Sequence, residues 1–139
     1  MGIAQDRLQQ LLTVWYEELA QWSVDGSLAT AARHALRLDL GNPGAPVAHD
    51  FQSFLDQLSK CGSTGIPEVS LLSSSAISGA EGAYAAATQS IYLNEQWIMS
   101  ASDQDVLRVL TEELGHHLDA RWNHADTPGD EGLRFAQRL

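Results

Sequence analysis

The feature that most constrains this chain is a change of hydrophobic period at Pro67. Before it, apolar residues recur at three- and four-residue steps. After it they fall into short extended runs, and helical spacing returns only beyond Ser102. Helices, then a few strands, then helices again predict an α+β domain with a small sheet.

In residues 6–22 the apolar set is Leu8, Leu11, Leu12, Val14, Trp15, Leu19 and Trp22, the spacing of a helix. Asp25-Gly26-Ser27 interrupts it, and Ser27 is placed to cap a second helix to about Leu38. Gly41-Asn42-Pro43-Gly44-Ala45-Pro46 is turn chemistry that no helix should cross. Residues 48–60 predict a third helix with Phe51, Phe54, Leu55 and Leu58 as its buried stripe. These helices are read as core and packing surface. Strands are expected at 68–72, 82–86 and 90–93, with Gln89 near the turn between the last two. Ser102 then caps a long helix to about Asn123, with Asp103 and Asp105 suited to its first turn. Residues 124–129 read as a loop, and Asp130 as the cap of a last helix. The expectation is one domain, 1–139, with a helical part (1–62) and a core (66–139).

At 139 residues, 44% hydrophobic and 19% charged, the composition is that of a globular domain. A net charge of −10 argues against nucleic acid and anionic membranes as partners, because both need a basic patch. Cys61 is the single cysteine, so no internal disulfide can form, and it reads as an incidental thiol in a loop. The charged, amphipathic N-terminal segment is neither a secretory signal nor a membrane span. Localisation stays open, with leaderless export and excision from a longer protein both compatible.

The chemistry is concentrated in Thr111-Glu112-Glu113-Leu114-Gly115-His116-His117-Leu118-Asp119. On a helical wheel Leu107, Leu110, Leu114, Leu118 and Trp122 form the core-facing stripe. Opposite them Glu112, His116 and Asp119 share a sector of roughly 60°, with Glu113 about 60° beyond His116. In His-Glu-x-x-His zinc helices the two His bind the metal and the Glu activates water. Here Glu112 takes the first His position, Glu113 the catalytic Glu, and His116 the second His. Gly115 leaves room beside the metal. Glu112 in place of a His makes the site harder and more anionic. The third ligand is either Asp119, one turn on, or Glu131 at the start of the last helix. His117 reads as a packing or second-layer group, and His124 as a surface residue. A solvated acidic helix face is the plain alternative. Asp126, Asp130 and Glu131 could form a small calcium site, or simply a Pro-Gly turn followed by an N-cap. Tyr84 and Tyr92 read as packing residues, either of which could stabilise an oxyanion.

The order Leu71-Leu72-Ser73-Ser74, then Gly82-Ala83-Tyr84-Ala85 to Ile91-Tyr92-Leu93, then the Glu-Glu-Leu-Gly-His-His-Leu-Asp run, then Asp126-Thr127-Pro128-Gly129-Asp130-Glu131-Gly132 resembles a known family. The family it resembles is a zincin-like domain of large bacterial, notably cyanobacterial, proteins that often carry calcium-binding repeats. The resemblance covers about residues 68–135. It implies a zincin-like fold, a small, mostly antiparallel sheet with an active-site helix and accessory N-terminal helices, in which an exposed strand edge pairs with an extended peptide. The function it implies is a metal-dependent peptidase, with Glu113 as general base and Glu112, His116 and Asp119 or Glu131 as ligands. The cofactor would be a divalent metal, zinc first and calcium second. The substrate would be a peptide or protein, including the parent chain. The alternative is an inactive zincin-like interaction or calcium-binding module of an exported protein.

Overall fold

The computed structural model describes residues 2–35, 46–60 and 66–122, with side chains for 2–32, 50–60 and 66–121. The elements run α1 (Ile3–Asp25), α2 (Ser27–Ala35), α3 (Pro46–Leu58), β1 (Glu68–Leu72), β2 (Gly82–Ala85), β3 (Ser90–Asn94), α4 (Glu95–Ile98) and α5 (Asp103–Trp122). The α+β class follows, and the three strands fall where the sequence pattern puts them.

α1 buries Leu8, Leu11, Leu12, Trp15 and Leu19, while Val14 points outward. It ends at Gly26, whose φ of 87° is the left-handed cap that glycine adopts without a Cβ clash. The Asp25 carboxylate accepts from the Ser27 backbone N–H at 2.8 Å. The Ser27 hydroxyl first, and this backbone bond second, hold the Asp25 carboxyl below its ordinary range. The turn chemistry therefore belongs to Asp25, and Ser27 is the first residue of α2 rather than its cap. The expected end of that helix near Leu38 lies outside the described residues. α3 buries Phe51, Phe54, Leu55 and Leu58, the predicted stripe.

The sheet has the order β1-β3-β2. β2 and β3 form an antiparallel hairpin, while β1 runs parallel to β3, so the sheet expected to be mostly antiparallel is mixed. The hairpin turns over Ala86 to Gln89, and Gln89 takes a φ of 51°. Because side chains alternate faces, register puts Val69, Leu71, Ile91, Leu93, Gly82 and Tyr84 on one side. That side packs on α5.

One cluster of buried residues joins α1, α2, α3, β3, α4 and α5, so both expected parts share a single core. Each fully buried leucine in it contributes about 1.5–3 kcal/mol. α4 is a single turn that the spacing did not predict. Asn94, 4% exposed, starts it: its Oδ1 accepts from Gln96 N (2.9 Å) and Trp97 N (3.2 Å). Its Nδ2 donates to Ser74 Oγ (3.2 Å) and the Ala80 carbonyl (3.1 Å), so one amide fixes the β3–α4 corner and the 73–80 loop together. No helix among the described residues is long and apolar enough to cross a membrane.

Candidate metal centre on α5

α5 starts as its sequence predicts, with Ser102 Oγ accepting from Asp105 N at 3.1 Å and Asp103 and Asp105 in the first turn. Arg7 of α1 fastens this end, donating to the Ala101 carbonyl at 2.6 Å and to Asp103 Oδ1 at 2.9 Å. Further along, Trp15 Nε1 donates to Thr111 Oγ1, which itself donates to the Leu107 carbonyl. α5 is therefore covered by α1 on one side and by the sheet on another. The buried arc is wider than the predicted leucine stripe. It takes in Val106, Val109 and Thr111 beside Leu110, Leu114 and Leu118, while Leu107 is partly buried.

β2 comes unusually close to the helix. A Cβ added at Gly82 would stand 2.7 Å from Val109 Cγ1 and 3.2 Å from Leu93 Cδ2, well inside contact distance. Two residues on, the Tyr84 hydroxyl is hydrogen-bonded to His117 Nδ1 at 2.7 Å, with the rings edge-on at 5.3 Å. Burial, and secondarily the Arg121 charge, pushes the His117 pKa down from 6.5 to about 4. Burial also raises the Tyr84 phenol. His117 is thus a neutral buried imidazole at pH 7, in keeping with its reading as a packing or second-layer group. Tyr84, read as a packing residue, also has a defined polar partner.

The predicted ligands divide by burial. Glu112 and His116 are partly buried one turn apart, whereas Glu113 and Asp119 are each 8% exposed. Gly115 between them is buried. Glu112 is paired with Arg108 one turn earlier, and the same guanidinium stands 4.0 Å from Glu81, the residue before β2. This i,i+4 pair was readable in the sequence and was missed. Glu112 and His116 supply an oxygen and a nitrogen suited to a divalent ion, but any metal must compete with Arg108 for the carboxylate. Among the described residues, no three His, Cys, Asp or Glu side chains gather as a metal-binding group. Glu131, the alternative third ligand, lies outside the described residues, as do His124 and the whole Asp126, Asp130 and Glu131 set read as a calcium site. Cys61 lies outside them as well.

Compared with protein-family models, with curated proteins and with solved structures, the chain has no match.

Proposed function

We propose that this chain is a metal-dependent peptidase of zincin type, acting on extended peptide segments. The observation that carries the reading is the relation of β2 to α5. A strand on the sheet edge, paired antiparallel with the next strand, lies directly against the helix that bears Glu112, Glu113 and His116. A peptide adding to the free side of such a strand gains backbone hydrogen bonds that do not depend on its side chains. The small residues Ala83 and Ala85, on the face turned away from α5, leave space for that approach.

Glu112 and His116 would hold the ion, with Asp119 or Glu131 completing the set. When bound, the ion would polarise the scissile carbonyl and acidify a water molecule. Glu113 would accept the water proton and pass it to the leaving amine. Its burial removes competing solvent from that exchange. The His117–Tyr84 bond would hold the edge strand at a fixed height over the helix.

The Arg108–Glu112 pair favours a second reading, an inactive zincin-like module that binds a partner or calcium without cleaving it. In that case the guanidinium is the permanent counter-ion of Glu112. Metal analysis of protein purified without chelators separates the two. The peptidase reading expects near-stoichiometric zinc that is lost in Glu112→Ala and in His116→Ala, with peptide cleavage abolished in Glu113→Gln. No zinc, no thermal stabilisation by any divalent ion and no chelator-sensitive cleavage would overturn it. Stabilisation by calcium alone would select the second reading.

A further inference from the structure

The opposite edge of the sheet carries a different feature. β1 is the other outer strand, and among the described residues its strand partner is β3 alone. Along its outer side run two adjoining spaces of about 530 Å³ and 390 Å³. The larger is lined by four consecutive strand residues, Glu68, Val69, Ser70 and Leu71. Successive residues point to opposite faces, so a space touching all four follows the backbone edge rather than either face. The facing wall is a stripe of α1, with Gln5, Gln9, Leu12 and Tyr16 at helical spacing. From Gln5 to Tyr16 that stripe rises about 16 Å, and a five-residue strand spans about the same length. The trough is therefore as long as one added strand.

Charge selects the occupant. Glu68 lines both spaces, and Glu95, which follows β3, lines the larger one. Both are exposed, and neither forms an ion pair among the described residues. Leu72 pairs with Asn94, so Glu95 stands near the far end of β1 and Glu68 at its start. A second copy of this chain would bring the same carboxylates against them, in a protein already at net charge −10.

From this we infer that the β1 edge is a docking site for an extended basic peptide segment, separate from the β2–α5 site. The segment adds as a fourth strand between β1 and α1. Its backbone bonds the open edge of β1, and two Lys or Arg residues four positions apart meet Glu68 and Glu95. Gln5 and Gln9 supply amides to its outer side.

The test uses the whole ¹⁵N-labelled chain and a capped Lys-Val-Thr-Val-Lys peptide, with Glu-Val-Thr-Val-Glu as its charge-reversed control. The expected result is saturable shifts of the Glu68–Leu72 amides and of the Gln5 and Gln9 side-chain amides. Affinity should fall at least tenfold in Glu68→Lys/Glu95→Lys and with the acidic peptide, and should weaken in 0.5 M salt. Both substituted residues are exposed, and an unchanged spectrum elsewhere verifies that the double variant folds. Shifts confined to Gly82–Ala85, equal binding of both peptides, or no binding at millimolar peptide would each overturn the inference. So would self-association of the unliganded chain through β1. None of these readouts depends on zinc or on cleavage, so this site and the peptidase reading fail separately.

Discussion

Trp15 Nε1 donates to Thr111 Oγ1 over 3.1 Å, between helices whose bonded residues lie 96 positions apart. The indole is fully buried, and its N–H has no route to water. Thr111 begins the run that carries the proposed ligands, so the same bond sets the rotation of α5 about its axis. Thr111→Val keeps the shape and removes the acceptor. It should cost about 1–3 kcal/mol, the penalty of an unsatisfied buried donor. Urea unfolding should show a lower midpoint at unchanged slope. Trp15→Phe in the same background should cost less than it does alone, and strict additivity would refute the coupling.

Gly82→Ala should destabilise by about 1–3 kcal/mol through overpacking. The added methyl meets the side chain of Val109, which is itself buried. Val109→Ala opens that space, so the double variant should be more stable than the sum of the two single effects. If Gly82→Ala alone were neutral, the close approach of β2 to α5 would be wrong.

Asn94 offers a test that separates its two roles. Asn94→Ala loses the α4 cap, worth about 1 kcal/mol, together with two donated bonds. Asn94→Asp keeps the acceptor but turns a carboxylate toward the Ala80 carbonyl. That variant should therefore gain stability as pH falls from 7 toward 5, when its carboxyl can be protonated and donate. Thermal melts across that range should show the wild type without this gain.

His117 predicts a second pH effect of opposite sign. Its folded pKa is lowered to about 4 from an ordinary value of 6.5. Below pH 6.5 the unfolded chain takes up a proton that the folded chain refuses. Stability should fall progressively as pH drops from about 6.5 to about 4, and this group should cause no further loss below that. Glu18 works the other way, because burial raises its carboxyl and acidification then favours the fold. The difference between wild type and His117→Gln in urea titrations at pH 7, 5.5 and 4.5 isolates the imidazole. Parallel curves would show that His117 is not held neutral.

Much of this architecture was legible because periodicity reports burial directly. The α3 stripe at Phe51, Phe54, Leu55 and Leu58 is a case where one face meets one core. α4 was not legible, since four residues are too short to establish a period, although Asn94 followed by Glu95 is a capping signal. The parallel pairing of β1 with β3 depends on contacts made in the folded chain and leaves no mark in either segment. At the candidate site, a wheel shows which residues share a side but not how many neighbours surround the helix. α5 is covered on two sides, which is why Glu113 and Asp119 are buried although only the leucine stripe was expected inside. The Arg108–Glu112 pair needed only the i,i+4 rule.

The Trp15–Thr111 bond joins the beginning of the chain to the helix near its far end, and that has a consequence for the order of assembly. β1, β2 and β3 lie within residues 68–94, so the sheet closes only short loops. α1 can dock on α5 only after most of the intervening chain has been drawn in, at a larger entropic cost. During synthesis α1 emerges well before α5; α2 and α3 can cover part of it early, but the Trp15 indole waits for Thr111. In the interval between those two events the α5-facing side of α1 is apolar surface open to aggregation.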